Sequence, residues 1–191
     1  MGCILIGMNE QLLLRTPHGS RLYGLAHADS DHDTYEIYAG KEKSAQRMNG
    51  KDDSFTTSLS EFLKMCDAGT PQALEAMFSS QKETAPEYDA FFAGYRAGSA
   101  AMLDKYTRTA LNFSKGERGQ DYSHSRSFKQ RRHALRLCLN LADGLAFGRF
   151  NPTLTEAEAQ ELTRLAEQEE SAYLETFNAF LESAKLGYRP L

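Results

Sequence analysis

A chain of 191 residues, 41% hydrophobic and 25% charged, is long enough for a real core, and its formal charge of −4 argues against a generally basic, sequence-blind nucleic-acid binder. Cys3, Cys66 and Cys138 stand alone, with no Cys-x-x-Cys spacing and no even disulfide framework, which suits a reducing cytoplasm. The apolar start, residues 3–14, is broken by Asn9, Glu10 and Gln11 and lacks a signal peptide's basic start and cleavage site, so neither a membrane span nor secretion is expected. Met1-Gly2 opens like a myristoylation signal, but Ile6 stands where Ser or Thr is required.

In chain order, residues 3–16 predict one or two short strands that lead into a turn at His18-Gly19-Ser20. A short helix over 20–26 follows, then a strand from Asp31 to Ala39, where Tyr35, Ile37 and Tyr38 favour a pleated surface. Lys41 to Lys51 is polar and reads as a mobile loop, and Asp53 to Thr57 as a further short strand. Beyond residue 57 the pattern turns helical. Ser58 and Glu61 form a capping box, Thr70-Pro71 opens a helix to Phe78, and Pro86 opens a longer one reaching Phe113. Ser114 to His124 reads as a loop, and Ser125 to Phe147 as a helix stopped by Gly148 with Pro152 beyond. Thr155 and Glu158 make another capping box, ahead of one bent helix or two ending near Leu186. The expected class is α+β: a small mixed sheet in residues 1–57, a helical remainder over 58–152, and a helical extension over 153–191.

The run from His18 to Tyr38 carries the chemistry. Gly19-Ser20 makes a tight turn with free N–H groups and a hydroxyl, and Asp31-His32-Asp33 follows eleven residues later. On an extended segment a period of two points both carboxylates to one face, an arrangement suited to Mg²⁺ carrying a polyphosphate. Lys129, His133 and Arg136 fall at i, i+4 and i+7, one stripe of a helix, with Arg132 close beside it. Blander roles stand beside these. Asp29 reads as a turn residue, Tyr23 as packing, His18 as either a nucleotide contact or a brace for the loop, and Arg126, Arg131 and Arg132 as a solvated face.

Gly19, Ser20, Tyr23, Gly24, Ser30, Asp31 and Asp33 stand as Gly-Ser-x-x-Tyr-Gly…Ser-Asp-x-Asp. This pattern resembles the DNA polymerase β-like nucleotidyltransferases, in particular the predicted nucleotidyltransferases common in bacteria and phages. The likeness continues through Asp53, Leu59, Phe62 and Gly69-Thr70-Pro71-Gln72-Ala73-Leu74-Glu75, with Thr70 where the family has Asn. It extends to Lys129, His133, Arg136-Leu137 and Gly148, covering residues 11 to 152.

The resemblance implies a metal-dependent transferase that moves a nucleoside monophosphate from an NTP to an acceptor hydroxyl. Asp31 and Asp33 would hold Mg²⁺ or Mn²⁺, with Asp53 as the third carboxylate and Asp52 as its alternative on the opposite face. Gly19 and Ser20 would seat the triphosphate, and Lys129, His133 and Arg136 would meet its outer phosphates or a nucleic-acid backbone. Glu75 would orient that stripe or join the site. An RNA or tRNA 3′ end, a protein side chain and a small molecule all stand as acceptors. A non-catalytic nucleotide-binding regulatory module and a partner-binding protein acting through its C-terminal helices are the alternatives.

Overall fold

The structure, a computed structural model, describes residues 11–40, 45–49, 52–115 and 124–191. Among them a five-stranded mixed sheet comes first and a helical assembly follows. The strands are β1 (Gln11–Pro17), β2 (Thr34–Ala39), β3 (Ala45–Asn49), β4 (Asp52–Ser58) and β5 (Glu83–Thr84), in spatial order β3-β4-β2-β1-β5. β2 and β4 run parallel, and every other neighbouring pair is antiparallel.

In β1 a register shift between Leu12 and Leu14 lets two consecutive leucines, Leu13 and Leu14, both be buried. Arg15 pairs with Glu36 across the β1–β2 ladder at 2.8 Å. Residues 3–10 of the first predicted strand lie outside the described residues.

A single turn, α1 (Gly19–Leu22), follows β1 in place of the longer helix expected over 20–26. Its backbone is taken over by the far end of the chain. Leu22 O accepts from Thr153 Oγ1 at 2.9 Å, and Tyr23 O accepts from Leu154 N–H at 3.2 Å. Gly24, at φ +72°, passes so close to this strap that a Cβ would stand 3.2 Å from Leu154 O.

Two strand expectations are corrected. β2 begins at Thr34, not Asp31, because the register with β1 ends at Pro17↔Thr34, leaving only a single His18–Asp33 backbone bond before it. The polar segment read as a loop, Lys41 to Lys51, contains β3, whose residues gain a ladder from β4 and not from any apolar pattern of their own.

The helices are α2 (Leu59–Asp67), α3 (Pro71–Phe78), α4 (Asp89–Gly94), α5 (Ser99–Ser114), α6 (His124–Phe147), α7 (Glu156–Ala166) and α8 (Glu170–Lys185). Ser58 Oγ accepts the Glu61 N–H at 3.2 Å, and Pro71 stands in the first turn of α3. Thr155 and Glu158 complete a reciprocal capping box on α7.

The helix expected from Pro86 to Phe113 is broken. A 3₁₀ turn (Pro86–Tyr88) and α4 precede an extended Tyr95, and α5 starts afresh after Gly98. Long-range bonds cause the break: Tyr95 OH donates to Asp67 at 2.9 Å, and Ala97 N–H donates to Gly148 O at 2.9 Å.

α6 packs against α5, α7 and α8. Leu135, Cys138 and Ala142 share one buried cluster with Tyr106 on α5, Leu162 on α7 and Tyr173 and Phe177 on α8, and this cluster continues to Leu13, Ile37 and Phe62 near the sheet. The 153–191 helices are thus part of the same core. Among the described residues no helix is long and apolar enough to cross a membrane.

Candidate active site

Two ladders fix Asp33. The antiparallel β1–β2 pairing continues one step past Pro17↔Thr34, with His18 N–H donating to Asp33 O at 2.9 Å. The parallel pairing Thr34↔Ser54 places Asp33 beside Asp53, whose N–H donates to Asp33 Oδ1 at 3.2 Å. Asp33 and Asp53 are thereby neighbours on adjacent parallel strands.

Asp53 accepts from the Gln46 side chain, while its Oδ1 is buried without a hydrogen-bond partner. Asp52 is turned elsewhere, since its Oδ1 accepts from His32 N–H at 2.8 Å. Asp31 is exposed and lies before the strand. Arg21 holds its loop through the carbonyls of Asp31 and Ser30, at 3.0 and 2.8 Å. Asp29 lies in a turn closed by Ser30 N–H on His27 O at 3.0 Å.

Gly19 abuts this acid pair. At φ +63° it occupies the left-handed region, and a Cβ there would stand 2.7 Å from Asp33 Oδ2. Gly19 and Ser20, with Asp31 and Asp33, line a cavity of about 950 Å³ whose lining also includes Lys105, Lys129 and Arg132 from α5 and α6. A smaller cavity, about 440 Å³, adjoins Asp33 and Asp53 and is lined by Tyr35, Phe55 and Met65.

The three residues of the α6 stripe line the larger cavity but differ in what they offer it. Arg136 is 3% exposed and pairs with the equally buried Glu75 at 2.8 Å. Its guanidinium lies 3.5 Å from the Tyr23 ring centroid, and Tyr23 OH donates to Glu75 Oε2 at 2.7 Å. Burial opposes the Arg136 charge, but Glu75 outweighs it and holds the group above the usual arginine range. The charge expected to meet phosphate is thus already neutralised inside the protein.

His133 sits edge-on to Tyr23 at 5.6 Å and near Phe113 at 5.9 Å. Burial, aided by Arg136, Lys129, Arg132 and His18, pushes its imidazole down to about 3, so it is neutral near pH 7. Arg132 donates to Thr163 Oγ1 at 3.2 Å, and burial lowers it from the usual range.

His18, whose buried Nδ1 has no partner, stands edge-on to Tyr23 and Tyr35 at 6.3 and 5.9 Å. Rings from Tyr35 through His18, Tyr23 and His133 to Phe113 thereby connect the sheet with α5 and α6.

Lys105 was not anticipated. It follows a usable signal, since Lys105, Thr109 and Phe113 recur every four residues beside the buried stripe Met102, Tyr106 and Ala110. Glu75 carried no local sign of burial. Its partner is 61 residues away.

The donor set suits a hard divalent cation: carboxylate oxygens, one of them orphaned, without a soft ligand. Among the described residues no three His, Cys, Asp or Glu side chains are grouped to hold a metal ion. Mg²⁺ is usually held by one or two carboxylates together with water and substrate phosphates, so the Asp33–Asp53 pair fits the ion without a protein-only cage.

Compared with known proteins, the chain shows no match to any family model, curated protein or solved structure.

The buried histidines set a pH dependence. A folded pKa of about 3 against an ordinary 6.5 means that the stability held by neutral His133 is fully present above pH 6.5 and is lost as pH falls toward 3. Burial lowers His18 in the same sense. The free energy of unfolding, read from denaturant titrations, should therefore fall between pH 6.5 and 4, by up to about 1.4 kcal/mol per pH unit for each proton taken up. His133→Gln should flatten that slope. Parallel slopes in the two chains would remove the imidazole from the account.

Proposed function

We propose that the chain is a nucleotidyltransferase that moves a nucleoside monophosphate from an NTP to an acceptor hydroxyl. One observation carries this: an acid pair from adjacent parallel strands abuts Gly19, beside a cavity whose lining includes Lys105, Lys129 and Arg132. A metal-bound triphosphate needs both halves, acids for the cation and cations for the phosphates.

The Gly19–Ser20 turn would bind the triphosphate through N–H groups and the Ser20 hydroxyl. α1 is a single turn, so these donors matter more than any helix dipole. Lys105, Lys129 and Arg132 would orient the outer phosphates and stabilise charge on departing pyrophosphate. Asp31, Asp33 and Asp53 would hold Mg²⁺ or Mn²⁺, which supplies Lewis-acid stabilisation of the transferring phosphoryl group when bound. Asp53 would take the acceptor's proton through its unpartnered Oδ1. Arg136 and Glu75 would set the floor beneath Tyr23 without touching substrate.

A second reading, nucleotide binding without transfer, is favoured by Asp31, which is exposed and lies before β2, outside the ladder that joins Asp33 to Asp53. Incubation with α-labelled NTPs, Mg²⁺ and mixed RNA, protein and small-molecule acceptors separates the two. Label on an acceptor with release of pyrophosphate is expected. Nucleotide retained without either product would establish the binding module instead.

A further inference from the structure

We propose that the 440 Å³ cavity beside Asp53 is the acceptor site, and that the acceptor is a small, hydroxyl-bearing molecule; this rests on the nucleotidyltransferase reading. The two cavities meet at His18, Asp33, Thr70 and Gln72, which line both. Asp53 lines only the smaller one, and its buried Oδ1 lacks a partner.

In phosphoryl transfer the attacking and leaving oxygens lie roughly in line on opposite sides of phosphorus. The described cations line the larger cavity, which suits departing pyrophosphate. The nucleophile then approaches from the smaller cavity. Its hydroxyl loses a proton to Asp53 and forms a bond to the α-phosphorus, while the bond from that phosphorus to the bridging oxygen breaks. Pyrophosphate leaves with the electron pair.

The chemistry of the smaller cavity selects its occupant. Among the described residues it is lined by no lysine or arginine, whereas Asp33 and Asp53 both line it. Tyr35 and Phe55, with ring centroids 4.8 Å apart, and Met65 offer a wall for a carbon skeleton, while Gln46 and Gln72 offer hydrogen bonds to hydroxyls.

The full chain with Mg²⁺ and α-labelled NTPs should be offered four probes separately: an oligoribonucleotide with a free 3′-hydroxyl, casein, myo-inositol and neamine. Transfer to inositol or neamine is expected. Phe55→Trp, which crowds only the smaller cavity, should raise the KM of that acceptor at least tenfold and change the KM for NTP less than twofold. Phe55→Leu, a milder change, should raise the acceptor KM less. Equal effects of Phe55→Trp on both KM values would overturn the assignment. So would label on oligoribonucleotide or casein alone, or on no probe while the chain still binds NTP; those two results leave the nucleotide reading standing. A chain that binds no NTP removes both.

Discussion

Asp33→Asn should lower transfer of label from NTP by 10²-fold or more, about the loss seen when one charge-stabilising group is removed from a transition state. Asp33 has the largest expected effect because both ladders converge on it and both cavities share it. Asn keeps an Oδ1 acceptor for the Asp53 N–H, so the local backbone arrangement survives. Neutralising Asp33 also removes a like charge beside Asp53, and thermal stability should hold or rise. Activity and stability therefore move independently. Joint loss of transfer and melting temperature would show that Asp33 serves the fold and not the chemistry. Asp31→Asn should be milder, since Asp31 is exposed and lines only the larger cavity.

Arg136→Met should unfold the chain more readily by about 3–5 kcal/mol, the cost of leaving a buried carboxylate without its cation. For a chain of this length that is a drop of about 10 °C in melting temperature. Glu75 is 1% exposed and, among the described residues, would retain only Tyr23 OH and, at 3.5 Å, Asn140 Nδ2 as donors. The double variant Arg136→Met, Glu75→Gln should recover most of the loss, because it removes the stranded charge along with its partner. Thermal melts of the wild type, both single variants and the double variant form the cycle. A single Arg136→Met variant as stable as wild type would mean that the ion pair contributes nothing and that Arg136 is free to meet phosphate.

What could be read from the chain alone depended on the range of the forces involved. Local signals were sound: Ser58, Pro71 and the Thr155–Glu158 box mark helix starts, and Gly148 marks an end, because capping is settled within a few residues. Parity says only that Asp52 and Asp53 face opposite ways on a strand; Asp53 is the one beside Asp33.

Features built by distant contacts were hidden. β5 is two residues long and exists through its pairing with β1, β3 through β4, and the break at Tyr95 through Asp67. The α6 stripe was visible as a stripe and the resemblance tied Glu75 to it, yet nothing near either residue announced that the two are buried against each other across 61 positions. Lys105 was missed for the opposite reason: one exposed-looking lysine on a helix is unremarkable until the fold brings α5 beside α6.

The measurement closest to the central claim is calorimetric titration of the full chain with an α,β-methylene NTP analogue, with and without Mg²⁺. Mg²⁺-dependent binding is expected, strongly weakened by Gly19→Val, whose side chain would crowd Asp33 from a backbone position unsuited to it. Wild-type chain that takes up no analogue, or that binds it equally well without the metal and with Gly19→Val in place, would contradict it.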